Sequence, residues 1–247
     1  ETEAAIAAAA RFIADPSIDS LRSLQETVES PRQELFRRLN LAPGATGRIV
    51  ALRRDLLGKG ALDPFLAGVD RDLRHLLSSW FNRGFLVLRR IDWQTPAAIL
   101  EKIIEYEAVH EIQGWDDLRR RLDPRDRRCF AFFHPSLVDE PLIFVEVALM
   151  RSTPAGIAEV LAEEQKRSDR PAEPPTTAVF YSISNCQEGL RGISFGNFLI
   201  KQVVEELARE EPRLETFVTL SPVPGFARWL ETLIADPDED HGLLGPE

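Results

Sequence analysis

With 247 residues, 44% of them hydrophobic and 28% charged, and with fourteen Phe and four Trp, the chain has the length of one or two domains and the composition of a globular protein. Disorder and collagen-like repeats are excluded, and a formal charge of -10 argues against nucleic acid as the main ligand, because a phosphate-backbone binder needs a basic face. The apolar runs Ala4–Ala14 and Pro141–Met150 are broken by Arg11 and Glu146, and both fall short of the roughly 20 residues that cross a bilayer. Two cysteines, Cys129 and Cys186, are too few for a disulfide framework or a Cys-only zinc site, and they fit a reducing, cytoplasmic setting.

Charge divides the chain. Residues 1–83 carry 12 basic and 11 acidic side chains, whereas residues 84–247 carry 18 and 29. The first part reads as helix throughout, because apolar residues recur three and four apart between turn signals and β-branched alternation is scarce. Pro31 follows Ser30 where a helix can begin, with Leu35, Phe36 and Leu39 as its stripe. Ile49 to Leu57 and Val69 to Phe81 give two more helices, separated by Gly58-Lys59-Gly60 and Asp63-Pro64. The expectation is an all-helical bundle over 1–83 that acts as a docking or oligomerisation platform without chemistry of its own.

The pattern changes after Asn82-Arg83-Gly84. Phe85 to Leu88 reads as a short buried strand, and Thr95-Pro96 supplies an N-cap with proline at N1 for a helix carrying Ile99, Leu100, Ile103 and Ile104. Residues 128–133 and 142–149 form an antiparallel strand pair, 155–166 a helix and 168–175 a proline-rich linker. Thr177 to Ile183 is a strand, 185–196 a loop with three glycines, and 197–209 an amphipathic helix. Residues 217–220 are a strand, Ser221-Pro222-Val223-Pro224-Gly225 a rigid turn and 226–234 a final helix. This order is α/β, so 84–247 is read as a second domain. The only methionine is Met150 and the chain opens at Glu1, while 236–247 reads as polar loop; further sequence is expected at both ends.

Gly189, Gly192 and Gly196 lie between a strand and a helix, where free N–H groups and the positive end of the helix dipole can hold phosphate oxygens. The spacing is neither a Walker loop nor Gly-x-Gly-x-x-Gly, and a glycine-rich turn without a ligand is the competing reading. Ser221 ends the following strand, and prolines at 222 and 224 hold its backbone; a plain loop serine competes here too. His75, His110, His134 and His241 are scattered and suggest no metal site. His134, at a strand end, reads as structural.

The segments Phe180-Tyr181-Ser182-Ile183-Ser184, Gln187-Glu188-Gly189-Leu190-Arg191-Gly192, Gly196-Asn197-Phe198-Leu199-Ile200-Lys201 and Leu220-Ser221-Pro222-Val223-Pro224-Gly225-Phe226 closely resemble the malonyl-CoA decarboxylase family. Ser79-Trp80-Phe81, Glu107-Ala108-Val109-His110, Arg127-Arg128-Cys129 and Glu140-Pro141-Leu142 agree in the same order. The resemblance implies a two-domain α+β chain, in which a helical domain (1–83) assembles a homo-oligomer, a dimer or tetramer, ahead of a catalytic domain (84–247) with the acetyltransferase (GNAT) fold. It implies that the CoA diphosphate is bound by Gln187, Gly189, Leu190, Arg191, Gly192, Gly196 and Asn197, although Leu190 stands where that loop usually has its first glycine. It also implies that Ser221 serves catalysis by orienting substrate and not covalently. No metal or other cofactor is implied, CoA being part of the substrate, and no membrane or nucleic-acid partner. The family's catalytic histidine, in a His-Leu-Arg-Asn-like stretch, is expected beyond residue 247. Two other readings remain at this point: an acyl-CoA-dependent N-acyltransferase of the same fold, and a non-catalytic CoA-binding module.

Overall fold

The computed structural model describes residues 2–123, 125–161, 174–194 and 198–235. The helical signals of the first segment become five helices: α1 (Thr2–Ala14), α2 (Ile18–Val28), α3 (Pro31–Leu39), α4 (Ala45–Leu57) and α5 (Pro64–Trp80). Their starts follow from side-chain capping. Ser17 Oγ accepts from Ser20 N at the head of α2, Ser30 Oγ from Arg32 N before Pro31, and Asp63 Oδ1 from Leu66 N before Pro64. No helix among the described residues is long and apolar enough to cross a membrane.

The second segment runs β1 (Val87–Ile91), α6 (Ala97–Tyr106), α7 (Trp115–Leu122), β2 (Arg127–Phe133), β3 (Pro141–Met150), α8 (Ile157–Leu161), β4 (Thr177–Asn185), α9 (Phe198–Glu210), β5 (Thr216–Thr219) and α10 (Phe226–Ala235). The strands form one sheet in the order β1-β2-β3-β4-β5. The first three pairings are antiparallel and β4 with β5 is parallel, with α9 as the crossover. This is a helical region followed by a mixed five-stranded sheet with helices, the order expected for the two segments.

One hydrophobic core crosses the boundary between the two segments. Ile49 and Val50 of α4, and Leu73, Leu76 and Leu77 of α5, pack with Phe130, Phe132, Val145, Val147 and Phe180 of the sheet and with Leu199, Val203 and Leu207 of α9. The all-helical reading of 1–83 agrees with the structure, and α4 and α5 in addition share this core with the sheet. Their apolar stripes are buried against the sheet, because its face carries more apolar surface than α9 covers. The opposite face is covered by α6 and α7 through Ile99, Ile103, Leu118 and Leu122.

Smaller corrections concern edges. The first strand lies two residues later than the run Phe85–Leu88, since Arg83–Phe85 closes a 3-10 turn under the Asn82 side chain; it is an exposed edge strand, with Val87 49% exposed. Thr95 does not cap α6: its hydroxyl accepts from Asp92 N, and Pro96 occupies the cap position. The helix placed at 155–166 is described only as Ile157–Leu161, and most of 168–175 lies outside the described residues.

His134 is structural. Its ring lies 4.7 Å from that of Phe81 and 6.2 Å from that of Phe85, and its Nδ1 accepts from Ser136 N. Burial holds its pKa below the ordinary 6.5, against an opposing hydrogen bond to the Trp80 backbone. In the unfolded chain this imidazole takes up a proton as pH falls through about 6.5, whereas in the native state it does so only at lower pH. The native state thus binds fewer protons in that window, and stability is lost on acidification. His134→Phe is expected to flatten the fall in thermal stability between about pH 7 and pH 5 relative to wild type. Equal slopes in the two proteins would show that the buried ring contributes nothing.

Candidate active site

The parallel pairing of β4 with β5 stops early. Phe180 pairs with Thr219, and Leu220 N donates to Phe180 O at 2.9 Å. Tyr181 to Asn185 then continue along β3, so the sheet pairing is open between the end of β4 and the chain that leaves β5 at Ser221, a parting that forms the candidate cleft. Because α9 crosses back between two parallel strands, its N-terminus and the loop before it lie at this same end. Open α/β sheets bind ligands where strands part in this way. Ser221 stands exposed at the mouth, followed by the turn in which Gly225 takes φ +80°.

The proposed ligand loop is built unevenly. Gln187 ties its base to the neighbouring hairpin, its Nε2 donating to Pro141 O at 3.2 Å. Glu188–Leu190 forms a 3-10 turn, in which Leu190 N donates to Gln187 O and Arg191 N to Glu188 O. The Leu190 side chain is 3% exposed within the shared core. Gly189 packs on α4 so closely that a Cβ would sit 2.0 Å from Val50 O. Gly192 is exposed, with φ +79° and open space around it. The Arg191 side chain is also exposed. Gly196, Asn197 and His241 lie outside the described residues.

Beneath the cleft the sheet carries a buried polar strip that the sequence reading passed over. A register shift opposite Glu146 and Val147 makes Tyr181 an extra residue in β4: Glu146 pairs with Ser182 and Val147 with Phe180. One inserted residue flips the alternation that follows, which turns Ser182 and Ser184 onto the face of Tyr181. There Ser182 Oγ lies 2.8 and 2.7 Å from the two carboxylate oxygens of Glu107, and Ser184 Oγ donates to Glu107 Oε2 at 3.2 Å. The same carboxylate accepts from Val109 N and His110 N, which fixes the chain where the His110 ring meets that of Tyr181, with centroids 6.3 Å apart.

Glu146, fully buried in β3, pairs with Arg121 of α7 at 3.1 Å, and Arg121 also holds Asp117 and Glu111 O. Burial outweighs the arginine and pushes the Glu146 carboxyl up to about 7. Tyr181 Oη lies near enough to this carboxyl to lower its pKa slightly, although neither it nor Glu146 Oε1 makes a hydrogen bond of regular geometry among the described residues. Burial likewise raises the pKa of both thiols, Cys129 beside this carboxylate and Cys186, so neither is a ready nucleophile.

Two signals for these residues were present in the sequence. Glu146 interrupts an otherwise apolar strand, and Arg53 falls on the buried stripe of α4 with Thr46, Ile49, Val50 and Leu56. A charge at a core position must have a partner, but pattern alone does not name it. Arg53 Nε donates to Asp70 Oδ1 of α5 at 2.8 Å, while its Nη1 donates to Gly189 O (2.7 Å) and Arg191 O (2.9 Å) in the loop that follows β4.

Residues 1–81 match the family model of the malonyl-CoA decarboxylase N-terminal domain, and residues 84–244 that of the malonyl-CoA decarboxylase C-terminal domain. Among curated proteins, a mitochondrial malonyl-CoA decarboxylase of Anser anser anser is 41% identical over 218 residues, covering 86% of this chain and 43% of the relative. That of Mus musculus is 40% identical over 212 residues, covering 84% and 43%. Among solved structures, malonyl-CoA decarboxylase from Agrobacterium vitis superposes with a TM-score of 0.88 at 61% identity, over 96% of this chain and 57% of that one. The enzyme from Rhodopseudomonas palustris gives 0.84 at 58% identity, over 97% and 58%. The chain thus spans less than half the length of these curated relatives and somewhat more than half that of the solved chains. Matched along both of its segments, and with its cleft at the parting of β4 and β5, the chain belongs to the malonyl-CoA decarboxylase family.

Proposed function

We propose that the protein converts malonyl-CoA to acetyl-CoA and CO2, with the loop from Gln187 to Asn197 holding the CoA diphosphate and Ser221 facing the malonyl group. The observation that carries this reading is convergence: the parted end of β4, the N-terminal end of α9, the open Gly192 turn and Ser221 all meet at one end of the sheet. The positive end of a thirteen-residue helix suits a diphosphate.

The chemistry asks little of a cofactor. Breaking the bond between the α-carbon and the carboxylate releases CO2 and leaves an electron pair, which the thioester carbonyl takes up as an enolate. A proton delivered to the α-carbon then gives acetyl-CoA. The site must place hydrogen-bond donors on the enolate oxygen and an acid near the carbon. The Ser221 hydroxyl supplies a donor for the carboxylate or the enolate oxygen, and a separate acid must deliver the proton to the α-carbon. Assembly proceeds between copies of the helical segment, where Ile6, Ile13, Ile18 and Val28 are all more than half exposed.

Release of CO2 from malonyl-CoA by the full-length protein, without any amine acceptor, tests the reaction. Transfer of the acyl group to an amine instead would replace it with N-acyltransfer. The loop is tested by Gly192→Val. A β-branched residue is strained at φ +79°, and the surrounding space is open, so the fold should persist while CoA affinity falls about tenfold by calorimetry. Unchanged affinity would remove the loop from the site.

A further inference from the structure

A guanidinium taken out of water needs both its charge and its donors satisfied, and Arg53 is 2% exposed. Asp70 on α5 answers the charge within the helical segment. The remaining contacts go elsewhere, to two backbone carbonyls of the ligand loop, Gly189 O and Arg191 O, which flank the buried Leu190. Gly189 itself lies against Val50 O, three residues before Arg53 on the same helix. The loop is therefore fixed from α4 by a steric contact, an apolar anchor and a charged double hydrogen bond.

The direction of those bonds matters. In a trans peptide the C=O and the following N–H point opposite ways. Holding Arg191 O on Arg53 consequently turns the Gly192 N–H away from α4, toward the open side of the loop, where it makes no hydrogen bond among the described residues. Because Asp70 neutralises the guanidinium, the influence of Arg53 on an anion is chiefly geometric: it sets where the amide points.

We infer that Arg53, assisted by Asp70, is a positioning residue for the acyl-CoA substrate, aiming the Gly192 amide at the CoA diphosphate; this rests on the reading of residues 187–197 as the diphosphate loop. The helical segment is on this account part of the substrate-binding apparatus and not only a platform for assembly.

The test measures CoA affinity by calorimetry in this chain, and KM and kcat for malonyl-CoA in the full-length protein, for Arg53→Lys, Asp70→Asn, Gly192→Val and the exposed neighbour Arg54→Lys. Lysine keeps the charge but cannot hold two carbonyls and a carboxylate with one planar fork. Arg53→Lys is expected to weaken CoA binding and raise KM by about tenfold, the scale of one lost charged hydrogen bond, with kcat changed by less than about threefold and the circular dichroism spectrum unchanged. Asp70→Asn should move KM in the same direction by less, and Arg54→Lys should do nothing. Should Arg53→Lys fail to fold, Asp70→Asn carries the same comparison. Normal affinity in both the Arg53 and Asp70 variants, beside a loss in Gly192→Val, overturns the positioning role and leaves the loop reading intact. Normal affinity in all three overturns both. A loss in Arg53→Lys with Gly192→Val unaffected also overturns it, since Arg53 would then act by some route other than this amide.

Discussion

Ser221→Ala is expected to lower turnover of malonyl-CoA by the full-length enzyme by about 100- to 1,000-fold, with little change in KM, the usual cost of one well-placed donor to a developing oxyanion. The expectation rests on how the chain presents the hydroxyl. Leu220 makes the last hydrogen bond to β4, so Ser221 is the first residue free of the sheet at the mouth of the cleft. Pro222 and Pro224 restrict the backbone after it, and Gly225 at φ +80° turns the chain into α10, with Phe226 N donating to Val223 O. A hydroxyl held by its backbone and not by a side-chain partner is available to substrate. Because Ser221 is exposed, its replacement should leave stability nearly unchanged, and a loss of rate can then be assigned to chemistry. Near-normal turnover in the variant would reduce Ser221 to an ordinary loop serine.

Much of this frame was legible before any coordinates. The strand, glycine-loop, helix and strand series from Thr177 to Leu220 is bounded by strong turn signals, and each observed element begins and ends within two residues of its expected place. What escaped was set by long-range partners. The sequence Trp115-Asp116-Asp117-Leu118-Arg119-Arg120-Arg121-Leu122 offers few apolar residues for a stripe and looks like solvated loop, yet it forms α7 because Leu118 and Leu122 enter the core and Arg121 is buried on Glu146. The Ser182 and Ser184 pair was hidden for a different reason. Strict alternation would set these serines on the face opposite Tyr181, and only the inserted residue in β4 turns them to Glu107. Register shifts of this kind leave no periodic trace. Arg53 was a visible anomaly on its helix, but its loop partners lie more than 130 residues away in the chain.

The two described glycines of the loop separate space from backbone conformation, and the second large effect follows from that contrast. Gly192 is strained for other residues by its φ of +79° but has nothing within 4 Å of an added Cβ, so Gly192→Ala should cost about 1–2 kcal/mol, the left-handed penalty alone. Gly189 carries no such dihedral constraint. Its added Cβ would lie 2.0 Å from Val50 O and 2.8 Å from both the Val50 carbonyl carbon and Cγ1, and a helix backbone cannot yield as a flexible side chain can. Either α4 or the loop must move, and the movement strains the Arg53 bonds to Gly189 O and Arg191 O together. Gly189→Ala is therefore expected to cost about 3 kcal/mol or more in urea unfolding, the upper range of overpacking in a dense interior. It should also weaken CoA binding more than Gly192→Ala does, although the Gly189 side faces the core and not the ligand. A Gly189→Ala protein as stable as Gly192→Ala would mean that the loop does not rest on α4, and the route by which the helical segment sets the Gly192 amide would be lost with it.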